Sequence, residues 1–202
     1  MLFGVFLDPS FFLKKNINFW KKKILFNYGK NKFVTHPAHC TLFYSKIINK
    51  KFAIKHLDLL VNKFKKIKIT INKKSTFLDY SSPKRELVLY FNVKFNKKLN
   101  KLQSEISNIL SEYIDKKYIS KNIYRYKKNK ILQKNFCKFG FPFVNKNWIP
   151  HFTIASIKND EHRKEFISNF LNGKINHIFY VKSLSYWNIN SDKHILIKRK
   201  IL

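Results

Sequence analysis

The sequence predicts an α+β fold with largely antiparallel sheet. Three observations point there. Short apolar runs of strand character alternate with stretches of helical spacing, in the order β-α-β-α-β-β-α-β-β-α-β-β. Two pairs of strands are separated only by short polar turns, Ser81-Ser82-Pro83 and Asn190-Ser191-Asp192, which favours antiparallel neighbours. The order also repeats roughly in two halves, and each half carries one copy of the same histidine motif.

Residues 2–7 form an unbroken apolar run, as expected of a buried strand. Asp8-Pro9-Ser10 then opens a helix, because Pro suits a first turn and Asp or Ser can cap it; that helix is expected to reach about Leu25 and to stop before Tyr28-Gly29. Residues 34–45 read as extended, broken by His36-Pro37. Across residues 50–66, Ala53, Ile54, Leu57, Leu60, Val61 and Phe64 recur at helical spacing with lysines opposite. Residues 67–79 and 86–95 read as two strands around the first turn. Leu99, Leu102, Ile106, Ile109, Leu110 and Tyr113 mark a third helix, and the lysine- and tyrosine-rich residues 115–134 read as a loop or an extra helix. Residues 136–144 are expected to be extended and bent at Gly140 and Pro142, and residues 148–157 to form a strand. A short helix over residues 160–171 is expected to end on Gly173 as a left-handed cap. Residues 178–189 and 194–201 are expected to close the chain as a hairpin.

Composition bounds the function. The chain has 202 residues, 45% hydrophobic and 17% aromatic, enough to bury a core and exclude disorder throughout. Only 4 Gly and 5 Pro exclude collagen-like and low-complexity classes. The net charge of +31 should draw polyanions in low salt. Arginine occurs only at Arg85, Arg125, Arg163 and Arg199, so lysine supplies the rest of the 42 cations. Abundant Lys, Asn, Ile, Phe and Tyr equally suit an AT-rich coding sequence, so charge by itself identifies no partner. Two cysteines, Cys40 and Cys137, make neither a disulfide framework nor a structural zinc site. The N-terminus lacks a basic region and reads as a first strand, not a signal peptide. No apolar run approaches the roughly 18 residues a bilayer span requires. A soluble, cytoplasmic monomer without membrane contact is expected.

The repeated motif is His39-Cys40-Thr41-Leu42 in the first half and His151-Phe152-Thr153-Ile154 in the second. Side chains alternate faces on a strand, so each copy sets an imidazole and a hydroxyl on one face and apolar side chains on the other. With 7 His in the chain and five Thr, chance gives about 0.2 such His-x-Thr pairs. The bland alternative is a pair of satisfied histidines at strand ends; matching positions in two similar halves weigh against it. Two opposed imidazoles can serve as base and acid in one phosphoryl displacement. Two hydroxyls can donate to the non-bridging oxygens where charge grows. This chemistry asks for no cofactor and no metal.

Two His-x-Thr motifs in about 200 residues resemble the two-histidine (2H) phosphoesterase superfamily, within it the bacterial 2′-5′ RNA ligase and cyclic phosphodiesterase branch. The run Trp148-Ile149-Pro150-His151-Phe152-Thr153-Ile154-Ala155 is similar to that branch's P-H-x-T-L-A signature, and the likeness extends to Phe3-Gly4-Val5-Phe6 and the terminal hairpin. Two positions depart from it: Ser156 stands where many members carry Arg, and His36-Pro37-Ala38 replaces an Asn-containing approach to the first motif. The resemblance implies residues 1–202 as a single bilobal domain, two antiparallel sheets with outer helices around a central groove, related by a pseudo-twofold. It implies hydrolysis of a 2′,3′-cyclic phosphate on RNA ends or nucleotides, or reversible 2′-5′ ligation. His39 and His151 would be catalytic, with His151 as base and His39 as acid, and Thr41 and Thr153 would hold the phosphate. A basic RNA-binding module on a repurposed scaffold, or an enzyme for a non-RNA cyclic phosphate such as ADP-ribose 1″,2″-cyclic phosphate, are the competing readings.

Other residues carry weaker signals. Phe43 shares the predicted face of His39 and Thr41 and could stack on a base, although a core role suits it better; Tyr44, Phe143 and Trp148 are further substrate-binding candidates. His36 and His39 lack the partners of a zinc site, and His177 and His194 read as surface or packing residues. Cys40 reads as a small core residue. The lysines of residues 121–134 could embrace an RNA backbone, or simply be solvated.

Overall fold

The computed structural model describes residues 1–78, 86–190 and 193–202. The turn at Ser81-Ser82-Pro83, and Ser191-Asp192 of the second turn, lie outside the described residues. Two four-stranded sheets, antiparallel throughout, make up the fold. The first runs β2 (Cys40–Ser45), β1 (Leu2–Leu7), β7 (Ser183–Asn190), β8 (Lys193–Ile201). The second runs β5 (His151–Ile157), β4 (Leu87–Val93), β3 (Lys68–Leu78), β6 (His177–Tyr180). Among the described residues, six α-helices join them: α1 (Phe11–Tyr28), α2 (Lys50–Val61), α3 (Lys97–Ser111), α4 (Lys116–Asn122), α5 (Lys130–Phe139) and α6 (Glu161–Asn172).

Each sheet sends a helix across to the other. The helix after β1, α1, packs on β5, and the helix after β4, α3, packs on β2. Their starts are set by sequence: Ser10 Oγ accepts the Leu13 N–H, and the Asn96 side chain accepts the Leu99 N–H. Their apolar stripes, Leu13-Ile17-Ile24 on α1 and Leu99-Leu102-Ile106-Leu110 on α3, are fully buried. Side chains from both sheets join one hydrophobic cluster. Each such fully buried Leu, Ile or Phe contributes on the order of 2 kcal/mol. Among the described residues, no helix is long and apolar enough to cross a membrane.

Several elements differ from the sequence expectation, each for a local reason. Helix α1 runs on to Tyr28 and ends where Gly29 adopts φ 71° and donates its N–H to Leu25 O. In place of an extended 34–45, only residues from Cys40 onward are strand. The preceding segment turns, with Phe33 at φ 68°, and the Lys21 ammonium of α1 takes the Phe33 and His36 carbonyls that a sheet partner would otherwise use. Residues 136–144 are not extended: Phe136 to Phe139 finish α5, and Gly140, at φ 65°, caps it. The Asn129 side chain starts that helix by accepting the N–H groups of Ile131 and Leu132. Residues 115–134 contain α4, a 3₁₀ turn at Ile123–Tyr126 and the start of α5. The expected strand 178–189 is two strands: β6 pairs with β3 in one sheet and β7 with β1 in the other, so the chain changes sheets at Val181-Lys182. Gly173 is not left-handed, its φ being −66°; a Cβ there would collide with the Lys74 ammonium.

Candidate active site

The two motif strands, β2 and β5, are each the edge of their own sheet, and they lie against each other. Two contacts tie them. The Trp148 indole N–H donates to Thr41 O at 2.9 Å, and the His151 backbone N–H points at the Cys40 thiol. The two His-x-Thr motifs, far apart in sequence, are thereby brought together.

Alternation inside each motif follows strand periodicity. His39 and Thr41 are half-buried on one face while Cys40 and Leu42 are buried; His151 and Thr153 are half-buried while Phe152 and Ile154 are buried. The alternation then breaks in the same way twice. Opposite β2, Phe6 pairs with Thr41 and Val5 with Phe43, so Leu42 is an extra, bulged residue. Opposite β5, Tyr90 pairs with Thr153 and Leu89 with Ala155, so Ile154 is the extra one. A bulge shifts the phase of all that follows. Phe43 therefore turns into the core, fully buried beside Phe141 at 6.0 Å between ring centroids, and offers no face to a base. Tyr44 takes the face of His39 and Thr41 instead. In the second copy Ala155 is in the core, and the Ser156 hydroxyl donates to Glu86 Oε2 at 3.1 Å.

The imidazoles are held identically. His39 Nδ1 lies 2.7 Å from Pro37 O, and His151 Nδ1 lies 2.7 Å from Ile149 O, in each case the carbonyl two residues earlier. A carbonyl can only accept, so Nδ1 carries the proton and Nε2 keeps its lone pair. An aromatic ring opposite each motif threonine backs its histidine. Phe6 stacks on His39 with centroids 3.8 Å apart and planes at 14°, and Tyr90 meets His151 edgewise at 5.1 Å. Phe77 adds a second edge on His151 at 5.5 Å. Gly4 makes room for this: a Cβ there would lie 2.7 Å from the Phe6 ring.

Both imidazoles are biased to the neutral form. Burial pushes His39 down to about 3; the Pro37 carbonyl opposes this, and the nearby charges of His194, Lys21 and His36 push it further down. His151 is lowered by burial, with Ile149 O opposing. Lys21 is itself buried, which lowers its ammonium to about 8, and it donates to Phe33 O at 2.8 Å and His36 O at 2.6 Å. His36 and His194 rings lie 4.3 Å apart, and His194 lies 5.9 Å from His39. Among the described residues, no group of three or more His, Cys, Asp and Glu is arranged to hold a metal ion.

The remaining candidates separate clearly. Trp148 is buried, and its N–H is committed to the Thr41 carbonyl, which makes it a tie between the motif strands, not an open stacking surface. Phe143 is exposed, at the edge of Phe141. Cys40 is buried and its thiol raised to about 12, which leaves it protonated and inert. His177 is held by Ser10 Oγ at 2.7 Å. Of four neighbours of the motifs, Tyr90 and Lys21 escaped sequence reasoning, while the sequence marks Phe6 only as part of the first strand and His194 only as a surface or packing residue. Lys21 alone left a signal, as a charge on the apolar stripe Leu13-Ile17-Lys21-Ile24.

A family model described as the 2′-5′ RNA ligase superfamily matches residues 19–193. No curated protein matches the chain. Among solved structures, TT0787 of Thermus thermophilus is similar at TM-score 0.62 and 11% identity, over 100% of this chain and 98% of that one. E. coli LigT in apo form is similar at TM-score 0.56 and 12% identity, over 100% and 96% of the two chains. E. coli LigT complexed with 3′-AMP gives 0.52 and 13%, over 99% and 97%. At these identities the likeness is one of fold.

Proposed function

The chain belongs to the 2′-5′ RNA ligase superfamily, and from that premise we propose that it is a phosphoesterase that opens the 2′,3′-cyclic phosphate of RNA ends or nucleotides by two-histidine acid–base catalysis. The observation that carries the reading is the duplicated anchoring. Both imidazoles have Nδ1 fixed by the carbonyl two residues back, both keep Nε2 for chemistry beside a threonine hydroxyl, and the two motif strands are tied together. A scaffold kept only to bind RNA through its charge has no need of two matched tautomers.

The reaction needs two proton transfers. One Nε2 takes a proton from water as its oxygen attacks phosphorus. The opposite ring, as imidazolium, gives a proton to the departing ribose oxygen, leaving a phosphomonoester and a free hydroxyl. Thr41 and Thr153 donate to the non-bridging oxygens. Both rings are neutral at rest, and the anionic phosphodiester between them favours the one imidazolium that the reaction requires. By family resemblance His151 is the base and His39 the acid, and the charges beside His39 hold it neutral until the anionic phosphodiester binds. With a ribose 5′-hydroxyl in place of water, the same steps run backward form a 2′-5′ linkage.

The test is product analysis with EDTA present. Protein is incubated with a dinucleotide ending in a 2′,3′-cyclic phosphate and with ADP-ribose 1″,2″-cyclic phosphate. Phosphomonoester should form from the dinucleotide, and His39→Ala and His151→Ala should each lower its rate by at least about a hundredfold. No product from wild type, or equal rates in both variants and wild type, refutes the proposal. Turnover of the ADP-ribose compound alone moves the substrate to the non-RNA class.

A further inference from the structure

The bulge that turns Phe43 inward sets Tyr44 on the catalytic face, beyond Thr41. Two to three strand residues separate them, roughly 7–10 Å, which is past the reach of one phosphate. The segment between α3 and α5 is docked against the end of this same strand. Ile48 N donates to Tyr113 O at 2.7 Å, Asp115 N donates to Lys46 O at 2.9 Å, and the Asp115 carboxylate pairs with the Lys46 ammonium at 3.0 Å. From there α4 and the following 3₁₀ turn carry Tyr118, Arg125 and Tyr126. Tyr118 and Tyr126 lean on Phe136, with centroids at 6.1 and 4.9 Å. Both tyrosines and Tyr44 are half-buried, and Arg125 is exposed beside them. Tyr44 senses the charge of Tyr118, Arg125 and Tyr126, and burial raises its phenol to about 12, so the hydroxyl stays a donor.

Arg125 differs from the other described arginines. Arg163 pairs with Asp160, and Arg199 with Asp8. Arg125 pairs with no carboxylate among the described residues and instead meets the Tyr124 hydroxyl. A guanidinium without a counter-ion, set among phenol rings and donors, matches a phosphate flanked by a nucleobase.

We propose that Tyr44, Tyr118, Tyr126 and Arg125 form a second nucleotide subsite, which takes the residue of an RNA strand adjoining the one whose phosphate lies between the histidines. This rests on the RNA-end reading above and names its substrate as an oligonucleotide rather than a free cyclic mononucleotide.

Binding and turnover separate the two ideas. Fluorescence anisotropy of a 5′-labelled tetrauridylate ending in a 2′,3′-cyclic phosphate reads the subsite without chemistry. Arg125→Ala should weaken binding at least about tenfold at fixed salt, whereas Lys130→Ala, an exposed cation at the start of α5, should change it by less than about twofold. In turnover, the ratio of kcat/KM for the tetranucleotide to that for uridine 2′,3′-cyclic phosphate should fall about tenfold in Arg125→Ala. A tetranucleotide carrying 4-thiouridine next to its 3′ end, photo-crosslinked to the wild-type chain, should map to Tyr44 or to residues 116–126, and this arm stands even where a variant misfolds. Equal losses in the two variants, or cross-links confined to other segments, overturn the subsite. Arg125-dependent binding with no phosphomonoester from either substrate leaves the subsite standing and refutes the enzymatic reading.

Discussion

Replacing Lys21 by Met tests whether the ammonium behind His39 is held at a cost. Burial lowers its pKa from 10.5 to about 8, and at about 1.4 kcal/mol per unit the folded state carries a penalty of about 3 kcal/mol while the group is charged. The substitution removes that penalty but takes one charged donor from each of the Phe33 and His36 carbonyls, at about 1–3 kcal/mol each, while Phe33 O keeps the His36 N–H at 3.1 Å. The two effects offset each other, so Lys21→Met should change stability at pH 7 by no more than about 3 kcal/mol, where counting lost hydrogen bonds alone gives a loss of up to about 6 kcal/mol. The pH dependence is sharper. Below pH 8 both the folded and unfolded chains hold the proton. Between 8 and 10.5 the folded chain releases it first, so the unfolded chain binds more protons and stability rises with pH. From pH 7 to 9.5 the gain from this group is about 2 kcal/mol, and Lys21→Met lacks it. Urea unfolding of both proteins across that range, taken as the difference between them, cancels the other titrating groups. A difference that stays flat within about 0.5 kcal/mol refutes the claim that Lys21 is buried as a charge.

Three further outcomes follow from the same geometry. The reaction needs one imidazolium, and both motif histidines are depressed in the free enzyme, so kcat/KM should fall as pH rises from 6 to 8; a flat or rising profile there contradicts the shared burial of the two rings. Gly4→Ala puts a methyl 2.7 Å from the Phe6 ring and 2.8 Å from Ile189 Cδ1, which should cost about 1–3 kcal/mol and lower kcat by dislodging the ring under His39; unchanged melting and turnover would show that Phe6 moves freely. Phe43→Ala should cost about 3–5 kcal/mol in unfolding free energy yet leave KM within about twofold at a temperature where the variant is folded; a large KM effect with little loss of stability would return Phe43 to the catalytic face.

The parts of the fold legible in the sequence are those fixed by periodicity. The stripes of α2 and α3, the apolar run of β1 and the alternation within both motifs each depend on residues that are neighbours on one element. Where expectation and structure part, the deciding partner is distant in the chain. Residues 178–189 read as one continuous strand, and only the pairing of Ile178 and Phe179 with β3, and of Ser185 and Tyr186 with β1, divides it between sheets. Phe43 departs from its expected face because period-two reasoning assumes an unbroken ladder, and nothing in His-Cys-Thr-Leu-Phe reveals that Leu42 bulges against Val5 and Phe6. Residues 136–144 read as extended because aromatic content favours strands, yet the spacing of Phe136 and Phe139 with Asn129 as a cap is helical.

The bulge explains why the motif reads His-x-Thr-aliphatic and then stops alternating. A strand that continued in phase would place its next side chain on the catalytic face directly after the threonine, crowding the space an anion would enter. Inserting one residue sends that side chain into the core and delays the next groove-facing position by one. In the first half the delayed position is Tyr44, and in the second it is Ser156, whose hydroxyl is given to Glu86. The two halves thus share their chemistry up to the threonine and diverge immediately after the bulge. One side continues into the tyrosines and Arg125, and the other closes on Glu86. Catalysis requires the common part on both sides, whereas recognition of a strand with a direction requires the sides to differ. In the proposed reaction the duplicated geometry would supply the first, and the first position beyond each bulge the second.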